Sequence, residues 1–256
     1  IVGVAGVEKT FDSQLQDPTY SKSPLKLTID LSIQAAVEHV LEGGMRLLNA
    51  KGAAAILMEV ETGRIISLAS LPDFDPNHRP KLPSRGSAAE SPLFNKAIQG
   101  VYELGSTFKI FTVAQALELG LVDPKTKINT KGPIRIGGHK INDYRSNGPE
   151  LPVWEVITES SNLGTARIAK MIGPEKQREF LSSLGFSKPT TIEMIEANGG
   201  KPLLPKRWNE LETMTISYGH GLSATPLHLA TGYATLANGG RPVSYTHLRA
   251  HETQFA

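Results

Sequence analysis

The sequence predicts an α+β fold, and three observations carry that reading. Two apolar runs, "AAAILMEV" and "RIISLAS", are joined by Glu61-Thr62-Gly63, the pattern of a strand hairpin. Helical periodicity dominates the rest of the chain, from Ser106 onward, at about 153–172 and 174–184, and again after Thr225. The chain of 256 residues is 39% hydrophobic and 20% charged, which suits one large globular domain or two small ones. A hairpin followed mainly by helices, with no internal repeat, fits α+β rather than alternating strands and helices.

Along the chain, residues 1–24 read as the end of a preceding region, with the polar, Pro-flanked "DPTYSKSP" as a linker. "LKLTID" alternates apolar and polar side chains and predicts a strand over 25–30. Asp30 is placed to cap a helix on which Ile33, Val37, Val40 and Leu41 share a face, expected to stop at Gly43-Gly44 or soon after. The continuous hydrophobicity of the hairpin predicts a sheet covered on both faces. Pro72, Pro76, Pro80, Pro83 and Pro92 forbid regular structure over 71–92. "KGPIRIGGHKINDYRSNGPELP" predicts short strands and turns. The last helix is expected to open at Thr225-Pro226, with Thr as cap and Pro in the first turn, and to end at Asn238-Gly239-Gly240.

Composition excludes several functions. A formal net charge of +2, from 27 basic and 25 acidic residues, gives no footprint for nucleic acid or an anionic membrane. With no cysteine, disulfides and thiolate zinc sites are excluded. No apolar run approaches the ~20 residues needed to cross a bilayer. The chain opens on "IVGVAGVEKTFD", without an initiator Met or a charged leader, and is expected to be a piece of something longer.

The chemistry is written in "YELGSTFKIFTVAQALELG", residues 102–120. A helix from Ser106 would carry Lys109 in its first turn, where the helix dipole disfavours a cation. That position makes sense if the lysine works as a neutral base. Burial and nearby positive potential lower its pKa, and the three-residue step puts Ser106 and Lys109 on one helix face. First-turn N–H groups, free of intrahelical partners, could hold an oxyanion formed when Ser106 attacks a carbonyl. A second cluster lies in "ITESSNLGTARIAKMIG", where Ser160 could relay a proton and the Asn162 amide could hold the lysine and the substrate backbone. The same Ser and Asn residues also suit plain helix capping.

Taken together, Ser-x-x-Lys at 106–109 and Ser-x-Asn at 160–162 resemble the first two signatures of penicillin-recognising serine enzymes. "GAAAILMEVETGRIISLASLPDFDPN" is similar to the first hairpin of the transpeptidase domain in class B penicillin-binding proteins. "YELGSTFKIFTVAQALELGLV" resembles the nucleophile helix of the division-specific FtsI type. "GGHKINDY", "SSNLGTARIA" and "LPKRWNELETMTISYGHGLSATPLHLATGYATLANGG" come next in that family's order, so the resemblance covers roughly 25–243.

The resemblance implies a penicillin-binding-protein/serine β-lactamase-like fold, an antiparallel sheet with an all-helical subdomain. It implies a D,D-transpeptidase of septal cell-wall synthesis that acylates its serine with a stem peptide ending in D-Ala-D-Ala and passes the acyl group to a neighbouring stem. Ser106 would be the nucleophile, Lys109 its base, Ser160 the proton relay and Asn162 the orienting amide. β-Lactams would be covalent inhibitors, division-machinery membrane proteins the partners, and no metal or organic cofactor is implied. The location would be the periplasmic face of the inner membrane. A serine β-lactamase, a D,D-carboxypeptidase and a non-catalytic division scaffold are the competing readings of the same motifs.

The sequence also departs from that pattern. A Lys-Thr-Gly or Lys-Ser-Gly strand is missing: "ETGR" and "ATGY" lack the lysine and "KTK" lacks the glycine. The expected organisation is therefore the end of an N-terminal module and linker at 1–24, a partial transpeptidase domain at 25–243, incomplete at its C-terminus and inactive as it stands, and a non-native tail at 244–256. That tail, "SYTHLRAHETQFA", is similar to translated library-adaptor DNA. His220, between two glycines in "SYGHG", is expected to be structural. Asp143 and Tyr144 fit either the cleft rim or loop packing, and Trp154 and Trp208 are expected to anchor cores.

Overall fold

The computed structural model describes residues 3, 5–20, 24–81 and 88–243. The tail at 244–256 lies outside the described residues, as do positions 21–23 of the linker. The fold is α+β, and the chain divides into two compact units. The first takes residues 1–101, 188–201 and 224–256, and the second takes 102–187 and 202–223.

The first unit is built on the predicted hairpin. Strands β1 (Ala53–Met58) and β2 (Ile65–Leu71) pair antiparallel, with Ala53 opposite Leu71 and Ile56 opposite Leu68. Two short helices, α1 (Gly6–Thr10) and α2 (Asp12–Gln16), precede α3 (Leu31–Leu48). Asp30 caps α3 as expected, its carboxylate accepting from the N–H groups of Ser32 and Ile33. The helix runs a full turn past Gly43-Gly44 and ends at Asn49, whose backbone is left-handed (φ 50°). Asn tolerates that conformation, so it stops the helix where the glycine pair does not. Ile33, Val37 and Leu41 are half-buried, whereas Val40 is 71% exposed and leaves the expected face.

Residues 25–30 are not a strand. They lie against the outer edge of β2, where the Thr28 hydroxyl donates to the Ile65 carbonyl and the Asp30 N–H to that of Ile66. Gln34 of α3 then accepts from the Leu68 N–H (2.9 Å) and donates to its carbonyl (3.1 Å). Side chains and one backbone N–H thus satisfy edge groups that a continuous ladder would otherwise pair. β2 alternates buried and half-buried residues, while β1 has none buried, so the covering of both faces holds for one strand only. Ile65, Ile98, Ile192 and Leu227 centre this unit's core.

The second unit starts with a short strand, β3 (Tyr102–Glu103), and a 3₁₀ turn, Gly105–Phe108, that leads into α4 (Lys109–Glu118). Two small antiparallel pairs come next. β4 (Lys127–Asn129) pairs with β7 (Glu150–Pro152), and β5 (Ile134–Ile136) pairs with β6 (His139–Ile141). The β5–β6 turn is Gly137-Gly138, with φ of 54° and 80°, the left-handed pair that a two-residue hairpin requires.

The long helix expected at 153–172 is two helices, α5 (Val153–Thr158) and α6 (Asn162–Ile172). The break falls at Ser160, a non-glycine residue at φ 54°. Helix α7 (Pro174–Ser183) agrees with expectation, but α8 (Glu210–Ile216) was not anticipated. Its signal was present: Asn209 and Glu212 form a reciprocal capping box. Helix α9 (Pro226–Ala237), in the first unit, has the predicted Thr225 cap.

Helices α4, α5 and α6 pack around Val113, Ala116, Val153, Val156 and Ile168. Phe108, Phe111 and Phe186 meet edge-to-face, with centroids 5.0–5.2 Å apart, and lock the root of α4. The Trp208 indole N–H donates to the Gln177 side-chain amide oxygen Oε1 at 2.9 Å, whereas Trp154 is 53% exposed and anchors no core.

Phe186→Ala should destabilise the protein by about 3–5 kcal/mol, through lost contacts and the cavity left among the rings. Urea unfolding of the variant beside the unvaried protein checks this.

Candidate active site

Ser106, Lys109, Ser160 and Asn162 all lie in the second unit. Ser106 sits in the 3₁₀ turn and Lys109 is the first residue of α4. In a 3₁₀ turn, residues i and i+3 eclipse, so the two side chains align more closely than in an α-helix. Their separation is a hydrogen bond: Lys109 Nζ lies 3.2 Å from Ser106 Oγ. Ser106 is exposed and Lys109 is 3% exposed, which pairs an accessible hydroxyl with a buried amine.

Ser160 supplies the other two contacts of that amine. Lys109 Nζ lies 2.8 Å from Ser160 Oγ and also donates to the Ser160 carbonyl. A single residue can present both groups to one nitrogen because its backbone is left-handed. That conformation costs about 1–2 kcal/mol for a residue with a Cβ. It also creates the gap between α5 and α6.

Asp143 holds the far side of this turn. Its carboxylate accepts from Ser161 Oγ at 2.7 Å and from the Leu163 N–H at 2.9 Å. Ser161 is fully buried and caps α6, its hydroxyl accepting from the Gly164 N–H at 2.9 Å. Capping and constellation are therefore not rivals: Ser161 is the cap, and its neighbours on either side are the candidate site residues. Asn162 is placed beside the site, but its amide nitrogen donates to the Asn142 carbonyl at 3.1 Å, not to the lysine.

Burial pulls the Lys109 pKa down from its ordinary value to about 8, and the Asp143 carboxylate opposes the shift. The cause is desolvation, which penalises the ammonium.

One residue pair was missed from sequence. Gly105 donates its N–H to the Gly219 carbonyl at 3.2 Å, and a Cβ on Gly219 would lie 2.1 Å from the Gly105 oxygen. Gly219, at φ 84°, therefore lets one loop press against the residue before Ser106. The glycines of "SYGHG" were the available signal, obscured by His220, which is exposed and whose ring is tilted 54° to that of Tyr218.

Among the described residues, no group of three or more His, Asp or Glu could hold a metal ion, and no helix is long and apolar enough to cross a membrane.

Comparison with known proteins gives consistent relatives. Residues 53–250 match the penicillin binding protein transpeptidase domain. The chain is 34% identical over 249 residues to a probable peptidoglycan D,D-transpeptidase FtsI of Caulobacter vibrioides, covering 96% of this chain and 41% of that protein. It is 32% identical over 268 residues to the peptidoglycan D,D-transpeptidase FtsI of Escherichia coli K12, covering 95% of this chain and 44% of that protein. The apo transpeptidase domain of Burkholderia pseudomallei penicillin-binding protein 3 superposes with a TM-score of 0.75 at 30% identity, over 91% of this chain and 64% of that one. The chain thus spans less than half the length of these two curated relatives.

Asp143→Ala should cost about 2 kcal/mol of stability, because the buried Ser161 hydroxyl loses its charged acceptor. Denaturant titration of the variant measures it.

Proposed function

The chain belongs to the penicillin binding protein transpeptidase family, and we propose that Ser106 is its acylated nucleophile in a D,D-transpeptidase reaction on peptidoglycan stem peptides. The observation that carries this is the buried Lys109 amine, hydrogen-bonded to Ser106 Oγ and to both oxygens of Ser160.

The donors and acceptors around Lys109 support a proton flow from Ser106 to the amine and on to Ser160. A neutral amine has two N–H groups and one lone pair. The Ser160 carbonyl can only accept, so it takes one N–H. Ser160 Oγ takes the other, which leaves the lone pair for the Ser106 hydroxyl. As Ser106 attacks the carbonyl carbon of the penultimate residue, its proton passes to Lys109. Ser160 Oγ, 2.8 Å from Nζ, would then carry the proton onward to the departing amine. The result is an acyl-enzyme and a free terminal amino acid. A second stem's amine attacks the ester, returns Ser106 and forms the cross-link. A pKa of about 8 leaves about a tenth of the lysine neutral at pH 7.

Asn162 orients the substrate in this reading, held by the Asn142 carbonyl. β-Lactams would acylate the same serine. Residues 25–243 would form the transpeptidase portion and 1–24 the end of a non-catalytic module. The names of the FtsI relatives support the D,D-transpeptidase reaction on peptidoglycan; septal wall synthesis at the periplasmic face of the inner membrane, beside division proteins, is the setting we propose for it.

A fluorescent penicillin should label the full native protein that carries this chain, and Ser106→Ala should abolish the label. Persistent labelling in that variant rejects the assignment. The acylation rate should climb with pH through about 8 and level above it, since the neutral amine is the active form; a lysine at its ordinary value would push this limb to about 10. Gly219→Ala should slow acylation roughly ten- to a hundredfold by displacing the turn before Ser106. Stopped-flow acylation kinetics would read both effects.

A further inference from the structure

The loop of residues 142–147, "NDYRSN", is used only at its root by the site described above. The Asn142 carbonyl accepts from Asn162, and the Asp143 carboxylate is engaged by Ser161 and Leu163. The root is thereby tied on either side of the residue proposed to orient the substrate. The tip points elsewhere. Tyr144 is 96% exposed, and the Arg145 guanidinium lies 6.0 Å from its ring centroid. Arg145 makes no ion pair with any described residue. A polar cavity of about 210 Å³ opens between this loop and Thr130, Gly132 and Leu163.

We propose that Arg145, steadied by the Tyr144 ring, selects substrate peptides that carry a free side-chain carboxylate. The proposal rests on the enzyme reading above and names a specificity residue within it. Its basis is charge and position together. The cavity's own carboxylate, Asp143, already accepts two hydrogen bonds, so the exposed guanidinium is the charge left to meet a ligand. A planar guanidinium matches a carboxylate with two parallel N–H groups, a geometry that a primary amide cannot reproduce. The Asn142 carbonyl that holds Asn162 is three residues from Arg145 in the chain, so a peptide oriented at Asn162 would have side chains within the neighbourhood of the loop tip.

The test uses the full native protein and two stem peptides that differ only in one side-chain group, free acid or primary amide. The unvaried protein should favour the acid by roughly fivefold in kcat/KM, expressed in KM, as expected for an exposed charge pair. Arg145→Ala should erase that preference, Arg145→Glu should invert it, and Arg145→Lys should restore part of it. No preference in the unvaried protein overturns the proposal. So does a preference that survives Arg145→Ala, or an equal loss of kcat on both peptides, which would make the loop a mere support for Asn162. Penicillin labelling on the same samples separates the two levels: an unlabelled unvaried protein strikes down the enzyme reading itself, whereas normal labelling with no acid preference strikes down only the role of Arg145.

Discussion

Everything in the candidate site depends on keeping one amine out of water while giving it three hydrogen-bond partners. Burial alone would make Lys109 an inert neutral group. Partners alone, in water, would leave it an ordinary ammonium. The fold does both, because the lysine roots a helix sealed by Phe108, Phe111 and Phe186 while its tip reaches the gap between α5 and α6. Desolvation lowers its pKa, and Asp143 limits how far. The balance leaves the amine near the point where it can both take and return a proton.

The gap is itself a consequence of strain. A continuous helix over 153–172 would direct the Ser160 carbonyl along the helix axis, into an intrahelical bond. The left-handed backbone at Ser160 turns it toward Lys109 instead. Asp143 stabilises that turn through Ser161 and the Leu163 N–H. Side-chain caps at the start of α6 therefore offset a backbone cost that serves the lysine, as strain at functional sites is commonly supported by its surroundings.

How much of this could be read in advance varies by kind of interaction. Local signals survived folding: the Ser106–Lys109 spacing, the Asp30 and Thr225 caps, the β1–β2 hairpin and the short strands and turns of "KGPIRIGGHKINDYRSNGPELP" each rest on a few adjacent residues. The broken helix was legible only in part: Ser160-Ser161-Asn162 suited a helix cap, but "WEVITESSNLGTARIAKMI" keeps its apolar period across the break and the positive φ falls on a serine. The segment at 25–30 bonds a neighbouring edge at isolated points, through the Thr28 hydroxyl and the Asp30 N–H, and alternation does not reveal whether such contacts extend into a continuous ladder. Gly219 against Gly105 joins residues far apart in sequence, and no local pattern carries such a contact. Asp143 was visible as a loop carboxylate, but its tie to Ser161 and Leu163 exists only after folding.

The central claim is that its surroundings lower the affinity of the Lys109 amine for a proton, through desolvation. Titrating the Lys109 side chain by NMR, with Cε and Nζ shifts followed from pH 6 to 11 in the native protein, tests it directly. A midpoint near 8 is the predicted result. A midpoint near the ~10.4 of a solvated lysine would contradict the account.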